Sequence, residues 1–543
     1  MSTATAGIAA PPATAKRRVF NPWIVALAVV VPTFMEVLDT TIANVALRYI
    51  AGGLSAPSSD SEWVITSYLA ANAIILPMSG WLSVRLGRRR YFLLSIAVFT
   101  LASALCGMAT SLNILIAARV LQGLAGGGLQ PSSQGVLLDA FPPEKQGSAM
   151  TLFGIAALLA PVVGPTLGGY ITDNYGWRWI FFINIPTGLL ALWFCSRVVS
   201  DPDYLKAQQS AMRKKGAPFD TIGLCLLSLT MVCWEIALSK GQEWDWLGDP
   251  FYRVHTLLVL FVLGLVTLVW RELRIPNPLI NFRTLADQNF RWSCIIIFCA
   301  FGVLYANTTT LPTLLQSLFG YDATTSGLVL SPAGLFAVMM LLVVGVSLSR
   351  GVDARYFMAA GLITMGLGNY WTSRLTLDVG PWQVVWPRVV VIAGLSMLFA
   401  PLNVAAFLYI PKELRAAAVG LLALLRNEGG SVGTSIAQTI HERREQFHSL
   451  RLGENLDLLN PTVNSFLEQA QSYLLQLSGD PVAARQMALQ LLENLRQQQS
   501  SALAYFDIFL VFAALSVPLV ALVFMMKRSV AQKGCACRGG VTG

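Results

Sequence analysis

The chain has 543 residues, of which 55% are hydrophobic and only 12% charged, against roughly 25% charged in a soluble domain. That balance excludes a soluble globular enzyme and describes a polytopic membrane protein. The formal net charge of +9 then reflects topology and contact with anionic lipid, not nucleic-acid binding.

Apolar runs of about 20 residues, the length that crosses a ~30 Å hydrocarbon layer, fall at 23–43, 62–82, 91–109, 114–135, 149–171, 179–198, 219–239, 254–272, 292–312, 324–348, 356–373, 384–408, 417–440 and 504–526. An even count of fourteen puts both termini on one side. Of the 38 Lys and Arg, 23 lie in the tails and loops of that side, 10 in the opposite loops and 5 within spans, which makes the first side cytoplasmic. The tail 1–22 carries Lys16, Arg17 and Arg18 ahead of a run too long for a cleavable signal peptide, so no cleavage is expected. Six of the eight cysteines (Cys106, Cys195, Cys225, Cys233, Cys294 and Cys299) sit in spans, where a thiol acts as a small apolar group, and no disulfide framework follows. Cys535 and Cys537 form a lone C-x-C, which lacks a second ligand pair for a metal.

The first span carries Glu36 and Asp39, three residues apart and so on one helical face. An acid in lipid is expensive and by default marks a proton or ion path. Burial favours the neutral carboxyl and a nearby cation the charged one, so such a group can trade protons as its access to water changes. The competing reading is a structural acid that stays paired throughout. The turn GWLSVRLGRRR (80–90) holds Gly80, Arg85, Gly87 and Arg88, with Gly87 suited to a tight turn and the arginines to a cytoplasmic anchor. In the fourth span Arg119 needs a counter-charge or a polar cavity. Glu36 and Asp39 are the nearest candidates by composition, with Gln122, Gln130 and Gln134 adding hydrogen-bonding capacity.

In the fifth span, GIAALLAPVVGPTLGG (154–169) repeats small residues and prolines at helical spacing: Gly164 and Gly168 lie four apart, as do Pro161, Pro165 and Gly169, with Gly154 at the start. In a water-exposed helix interior each proline costs about 3 kcal/mol. In a bilayer the glycines let a partner helix approach and the prolines fix a bend, so a close-packed, kinked helix is expected. The bland alternative is a generic membrane packing helix.

These segments resemble, in order, four signatures of the major facilitator superfamily, and within it the fourteen-span drug/proton antiporters of the EmrB/QacA type. LDTTIANVAL (38–47) is similar to the first-span motif, 80–90 to the loop motif Gly-x-x-x-Asp-Arg-x-Gly-Arg-Arg, ARVLQG (118–123) to the fourth-span arginine motif, and 154–169 to the antiporter motif. WVITSYLAANAI (63–74) and WRWIFFINIPTG (177–188) fit as well, and the similarity runs from about residue 20 to 526, nearest the EmrB branch. Val84 stands where the loop motif has Asp, so Arg85 and Arg88 are expected to lack the acid partner of that motif.

The resemblance implies a major facilitator fold: an all-α polytopic membrane protein with a six-helix bundle at 23–198, a cytoplasmic linker at 199–218, two inserted helices at 219–273, and a second six-helix bundle at 274–526, followed by a cytoplasmic tail at 527–543. The second bundle echoes the first. Arg388 is placed like Arg119, and GLLALLRNEGGSVGTSI (420–436) parallels the fifth span, with Arg426 and Glu428 too close in sequence to face each other. Glu235, in the first inserted helix, is either a functional acid or an interfacial one. The polar stretch 441–503, opposite the cytoplasm, has apolar residues three and four apart and is expected to form amphipathic helices. These either cap the protein's own mouth or, as the resemblance implies, meet a periplasmic adaptor leading to an outer-membrane channel.

The function expected is proton-coupled export of hydrophobic or amphipathic compounds across a bacterial inner membrane by alternating access, with no cofactor beyond the proton gradient. Asp39, Glu36 and Arg119 would carry the coupling. Phe34, Asn44, Tyr68, Asn72, Gln130, Tyr305, Asn307, Gln316, Asn403, Phe407, Arg426 and Glu428 are the substrate-cavity candidates by position within spans. Export of one endogenous metabolite, fatty acid or siderophore is the alternative. An enzyme is not expected: the chain has no H-E-x-x-H or G-x-S-x-G, and His255, His441 and His448 lie at or beyond span ends. Helices bent by Gly and Pro suit a moving carrier better than a fixed channel.

Overall fold

The computed structural model describes residues 21–142, 145–214, 220–275, 278–454, 456–457 and 459–529. The tail bases Lys16, Arg17 and Arg18, the linker residues 215–219 and the Cys535/Cys537 pair lie outside the described residues. Every regular element described is a helix.

The first half comprises α1 (Pro22–Gly53), the short α2 (Ser58–Ser61), α3 (Trp63–Leu86), α4 (Arg88–Gly107), α5 (Leu112–Gly126), α6 (Leu129–Ala140), α7 (Gln146–Tyr175), α8 (Trp179–Phe182) and α9 (Asn184–Val198). A linker helix α10 (Asp203–Lys214) leads to the inserted pair α11 (Thr221–Lys240) and α12 (Arg253–Arg274). The second half follows with α13 (Gln288–Ser317), α14 (Ala323–Leu330), α15 (Pro332–Ser349), α16 (Ala354–Thr372), α17 (Pro381–Phe407), α18 (Arg415–Gly453), α19 (Pro461–Ser478) and α20 (Pro481–Phe524). Aspartates set several starts: Asp220, Asp287 and Asp353 each accept a backbone N–H from the first turn of α11, α13 and α16.

Twelve described segments are long and apolar enough to cross a membrane. The two further expected spans, 356–373 and 417–440, are also helical and lie within α16 and α18. These are packed inside the second half, α16 against α17 and α20, α18 against α13 and α20. The expected fourth span is not one helix. It breaks at Gly127 and Gly128, where a side chain on Gly128 would run into Tyr91 and Ser95.

In the first half α7 packs along α1, α5 along α3 and α4, and α9 against α1 and α4. The halves meet along two seams, α3 with α18 and α7 with α14 and α15. The start of α1, the 86–88 turn, the end of α6, the start of α18 and the end of α20 share one face, here the basic side; Tyr409 hydroxyl, for instance, donates to the Arg528 carbonyl at 2.8 Å. Inserted helix α11 packs on α12 and on both α3 and α18, while much of α12 is exposed, as expected of a lipid-facing helix.

The 441–503 stretch is helical, but not as free-standing helices. At 1.5 Å per residue, α18 with 39 residues and α20 with 44 are each about 60 Å long, roughly twice the hydrocarbon thickness. Both spans run on past the layer, and α19 packs along α20. Arg444 Nε and His448 Nε2 reach Asp507 at 2.5 and 2.8 Å, and His441 stacks on Tyr505 with centroids 4.0 Å apart.

Candidate functional site: a buried charge network and a far-side cleft

Asp39 and Arg119 meet in the interior of the first half, both side chains fully shielded. Arg119 Nη1 donates to Asp39 Oδ2 at 2.6 Å and to Gln122 Oε1 at 2.9 Å, and Nε donates to the Val64 carbonyl at 3.1 Å. Asp39 Oδ1 accepts from Gln122 Nε2 at 2.9 Å and from Asn184 Nδ2 at 2.6 Å. The guanidinium lies over the Tyr68 ring at 4.3 Å, which covers its otherwise unpartnered Nη2 face with π density. Such a closed, multiply bonded pair is the geometry in which a buried charge is tolerable, and loss of either member leaves the other exposed to a large desolvation penalty.

Glu36 does not touch Arg119. It sits one turn nearer the basic-side start of α1 and faces the junction with the second half. Its Oε1 accepts from Tyr68 hydroxyl at 3.3 Å and Asn72 Nδ2 at 3.2 Å, and its Oε2 accepts from Gln130 Nε2. Gln130 Oε1 in turn accepts from Arg426 on α18. Arg426 is framed by the rings of Phe153 and Phe301, each 5.6 Å away, and Tyr305 packs against Gly430 one turn on. A second polar bridge runs from Gln134 to Asn403 at 2.6 Å. Tyr68 joins the two networks, its ring on Arg119 and its hydroxyl on Glu36.

Glycines let the helices carrying these groups approach. A side chain on Gly164 of α7 would collide with Thr41, and one on Gly168 would stand 3.4 Å from Ile42 Cα, so α7 lies directly on the stretch of α1 just past Asp39. Gly154 leaves room for Phe399, and Pro161, Pro165 and Gly169 are accommodated within the continuous α7. On the basic side Gly80 lies under the Ala416 carbonyl, where a Cβ would stand 2.6 Å from the oxygen, and Gly420 meets the Leu76 carbonyl at 2.9 Å. The halves are therefore in backbone contact at that end.

Towards the far side the α3/α18 seam opens into a cleft of about 190 Å³, lined by Asn44, Glu62, Leu69, Glu235, Ser431, Thr434 and others. Inserted helix α11 closes it laterally and is tied to both halves: Ser239 and Thr66 hydroxyls lie 2.6 Å apart, Lys240 pairs with Glu62 at 2.9 Å, Ser435 donates to the Leu238 carbonyl at 2.8 Å, and Ser431 donates to Glu235 at 3.1 Å. Glu428 stands beside Glu235 and Trp234.

Several expected cavity residues fall elsewhere. Phe34 packs into the apolar cluster around Val37 and Leu38 within the first half. Phe407 lies against Phe290 inside the second half, centroids 6.4 Å apart. Asn307 bonds Asn369 at 2.9 Å, near Arg388 and away from the Glu36 junction, and Gln316 is half-buried near the far end of α13. Each is a polar or aromatic residue on a helix whose inner face is turned to its own half, which position along a span does not reveal. Arg88 lacks the acid of the loop motif, as expected, but finds another. With Val84 in the usual acid position, Arg88 instead pairs with Asp139 of α6 and donates to the Gly135 carbonyl at 3.0 Å and Tyr204 hydroxyl at 3.3 Å. Arg85 stacks on Trp81, 5.0 Å from its centroid, and Gly87 takes the left-handed φ of 87° that the turn requires. Sequence reasoning passed over Asp139 and Asn184. An acid at the end of a predicted span and an Asn among large apolar residues (FFINIP) were the available signals.

Comparison with known proteins agrees with this architecture. A profile of the Major Facilitator Superfamily matches residues 29–434. The multidrug export protein EmrB of Haemophilus influenzae is 36% identical over 452 residues, covering 83% of this chain and 86% of its own. The probable multidrug resistance protein EmrY of Escherichia coli is 33% identical over 94% of this chain and 96% of its own, and the fatty acid resistance protein FarB of Neisseria gonorrhoeae is 33% identical over 93% and 96%. Among solved structures, the human organic anion transporter MFSD10 superposes with a TM-score of 0.56 at 14% identity over 93% of this chain and all of its own. The proton:xylose symporter XylE gives 0.56 at 12% identity over 93% and 99%. These two show the fold alone. With the family profile, the close relatives and the two-half helical architecture in agreement, the chain belongs to the Major Facilitator Superfamily of membrane transporters.

Proposed function

We propose that the protein is a proton-coupled exporter of hydrophobic or amphipathic compounds, working by alternating access in a bacterial inner membrane with both termini in the cytoplasm. The observation that carries this reading is the pairing of a sealed acid–base couple, Asp39 with Arg119, to a second acid, Glu36, that reaches the opposite half through Gln130 and Arg426. The α3/α18 seam touches at the basic end and parts into a cleft at the far end, an arrangement suited to release on the far side, while the α7/α14 seam stays closed there, with Thr324 bonded to Asp173 and Thr166 to Ser331. A proton on Asp39 removes the counter-charge of Arg119. A proton on Glu36 removes the charge behind the Gln130–Arg426 bridge. Either event changes the balance between the closed and open seams, and a potential of 100 mV adds about 2.3 kcal/mol per charge moved.

The similarity to the multidrug proteins EmrB and EmrY favours a broad drug range, and that to the fatty acid resistance protein FarB favours fatty acids. Export of a single amphiphile class, whether a fatty acid, metabolite or siderophore, is therefore the second reading. The α18–α20 projection exposes Leu450, Leu459, Tyr473 and Leu477 on the far side, apolar surface that an adaptor protein would cover. We accordingly assign the chain to the inner-membrane position of a tripartite pump, with a periplasmic adaptor and an outer-membrane channel as partners. The test is uptake of a fluorescent drug and of a labelled fatty acid into everted vesicles under an imposed pH gradient. Asp39→Asn is expected to abolish gradient-driven uptake of both while leaving downhill exchange. Full gradient-driven uptake by Asp39→Asn overturns the coupling assignment.

A further inference from the structure

We propose that the far-side cleft between α3, α11 and α18 is a binding site for an organic ammonium, whose head is received by Glu235 of the inserted helix and Glu428 of α18. The two acids are 2% and 5% exposed and stand side by side. Among the described residues neither forms an ion pair. Glu235 has one hydroxyl donor, Ser431, while Glu428 has only Glu235 itself and the Trp234 indole beside it, with neither of its oxygens in full hydrogen-bond geometry to them. The nearby bases are committed elsewhere: Lys240 to Glu62 and Glu243 at the rim, Arg426 to Gln130 on another face of α18. Two adjacent buried carboxyl groups with so few donors and no cation form an incomplete site, because like charges at close range raise each other's energy and unmade hydrogen bonds add the desolvation cost.

The cleft supplies the rest of the fit. Glu235 and Ser431 line it directly, and Glu428, one turn before Ser431 on α18, stands behind that wall against Glu235. Leu69 and Leu238 give the wall an apolar side for a hydrocarbon chain, while Thr434 stands on the opposite wall. An ammonium has N–H donors for the orphaned oxygens and a positive charge that answers the pair, whereas a carboxylate head of the same length would be repelled. This gives the inserted helices a role of their own, walling and charging a binding site, and it stands apart from the Asp39–Arg119 coupling.

The test uses the full chain in lipid nanodiscs with no gradient, so that its outcome is separable from that of coupled transport. Binding of octylammonium and of octanoate, a pair alike in length and opposite in charge, is measured with empty discs subtracted. Glu428→Gln and Glu235→Gln are each expected to weaken octylammonium binding by roughly tenfold or more, the loss of one charge-assisted hydrogen bond, and to leave octanoate binding unchanged. Thr434→Leu, which fills the cleft and retains both acids, is expected to abolish octylammonium binding and serves if either Gln variant fails to fold. Octylammonium affinity unchanged in all three variants, or an equal fall for both ligands, overturns the proposal.

Discussion

The two halves place an arginine alike and treat it differently. In the first half Arg119 is bonded to Asp39, Gln122 and the Val64 carbonyl. In the second, Arg388 is also buried, yet among the described residues its only partner is Thr308 hydroxyl at 3.3 Å, and its Nε and Nη1 have none. Thr308 stands to Arg388 as Asp39 stands to Arg119, with a hydroxyl in place of the acid. A repeat therefore preserves the cation without its counter-charge. The first half carries the closed charge network within the membrane. The second carries its comparable ion cluster, Arg444, His448 and Asp507, out on the far-side extension of α18 and α20.

The comparison is broken most directly by removing each arginine's charge. Arg119→Leu leaves Asp39 buried without a cation and is expected to destabilise the protein by about 3–5 kcal/mol. Arg388→Leu removes a guanidinium that already lacks a partner acid, so its effect is expected to be neutral or stabilising, up to ~2 kcal/mol. Thermal unfolding of the two variants in the same detergent measures this difference in sign. Equal destabilisation would mean that Arg388 has charge compensation comparable to that of Arg119.

The turns on the basic side sharpen the same contrast. Gly87 and Gly351 both take left-handed φ values, 87° and 88°, and each is followed by a paired arginine. Arg355 pairs with Asp353 two residues away, at 2.9 Å, whereas Arg88 reaches Asp139 on α6. The long-range pair ties α4 to α6, so Asp139→Asn is expected to cost about 1–3 kcal/mol, with Arg88 retaining its bonds to Gly135 and Tyr204. It is further expected to loosen the α4/α6 contact, read as faster hydrogen exchange at the end of α6 than in the parent protein.

The all-helical architecture, the helix at each predicted span and the doubled organisation were legible because lipid forces apolar runs of a fixed length and leaves no alternative to helix. Within the site, Asp39 with Arg119 was legible for the same reason: a cation and an acid that deep need each other. Their polar company was not. Asn184 comes from a helix far along the chain, and nothing in its neighbours says which way it points. Glu36 and Asp39 share a helical face in sequence, but three residues are enough of a turn for them to address different halves, one through Arg119 and one through Gln130. Val84 showed that the motif's own acid is gone, but Asp139 as its replacement was not legible, because a motif specifies where its acid sits along the chain, while the arginine needs only one within reach in space. The continuous α18 and α20 were missed because their polar outer halves read as a loop once hydropathy fell, although helical periodicity carried straight through them.

The smallest expected effect lies where the second half keeps its ions. His441, on α18 beyond the expected span and stacked on Tyr505, has its pKa lowered below the ordinary 6.5 by burial, with Glu445 and Glu442 opposing. The folded state therefore holds this imidazole neutral more firmly than the unfolded chain does. Stability contributed by the stack is fully present above the ordinary pKa and declines as pH falls below it, when the unfolded chain takes up the proton more readily. His441→Phe keeps a ring against Tyr505 and has no proton to gain, so the α18–α20 contact in that variant is expected to lose part of its acid sensitivity. Proteolysis of the projection at pH 5 and pH 7 reads this out: the parent is expected to be cut faster at the lower pH by more than the variant is. If parent and variant show the same pH ratio, the buried His441 ring contributes nothing to the acid sensitivity of the α18–α20 contact.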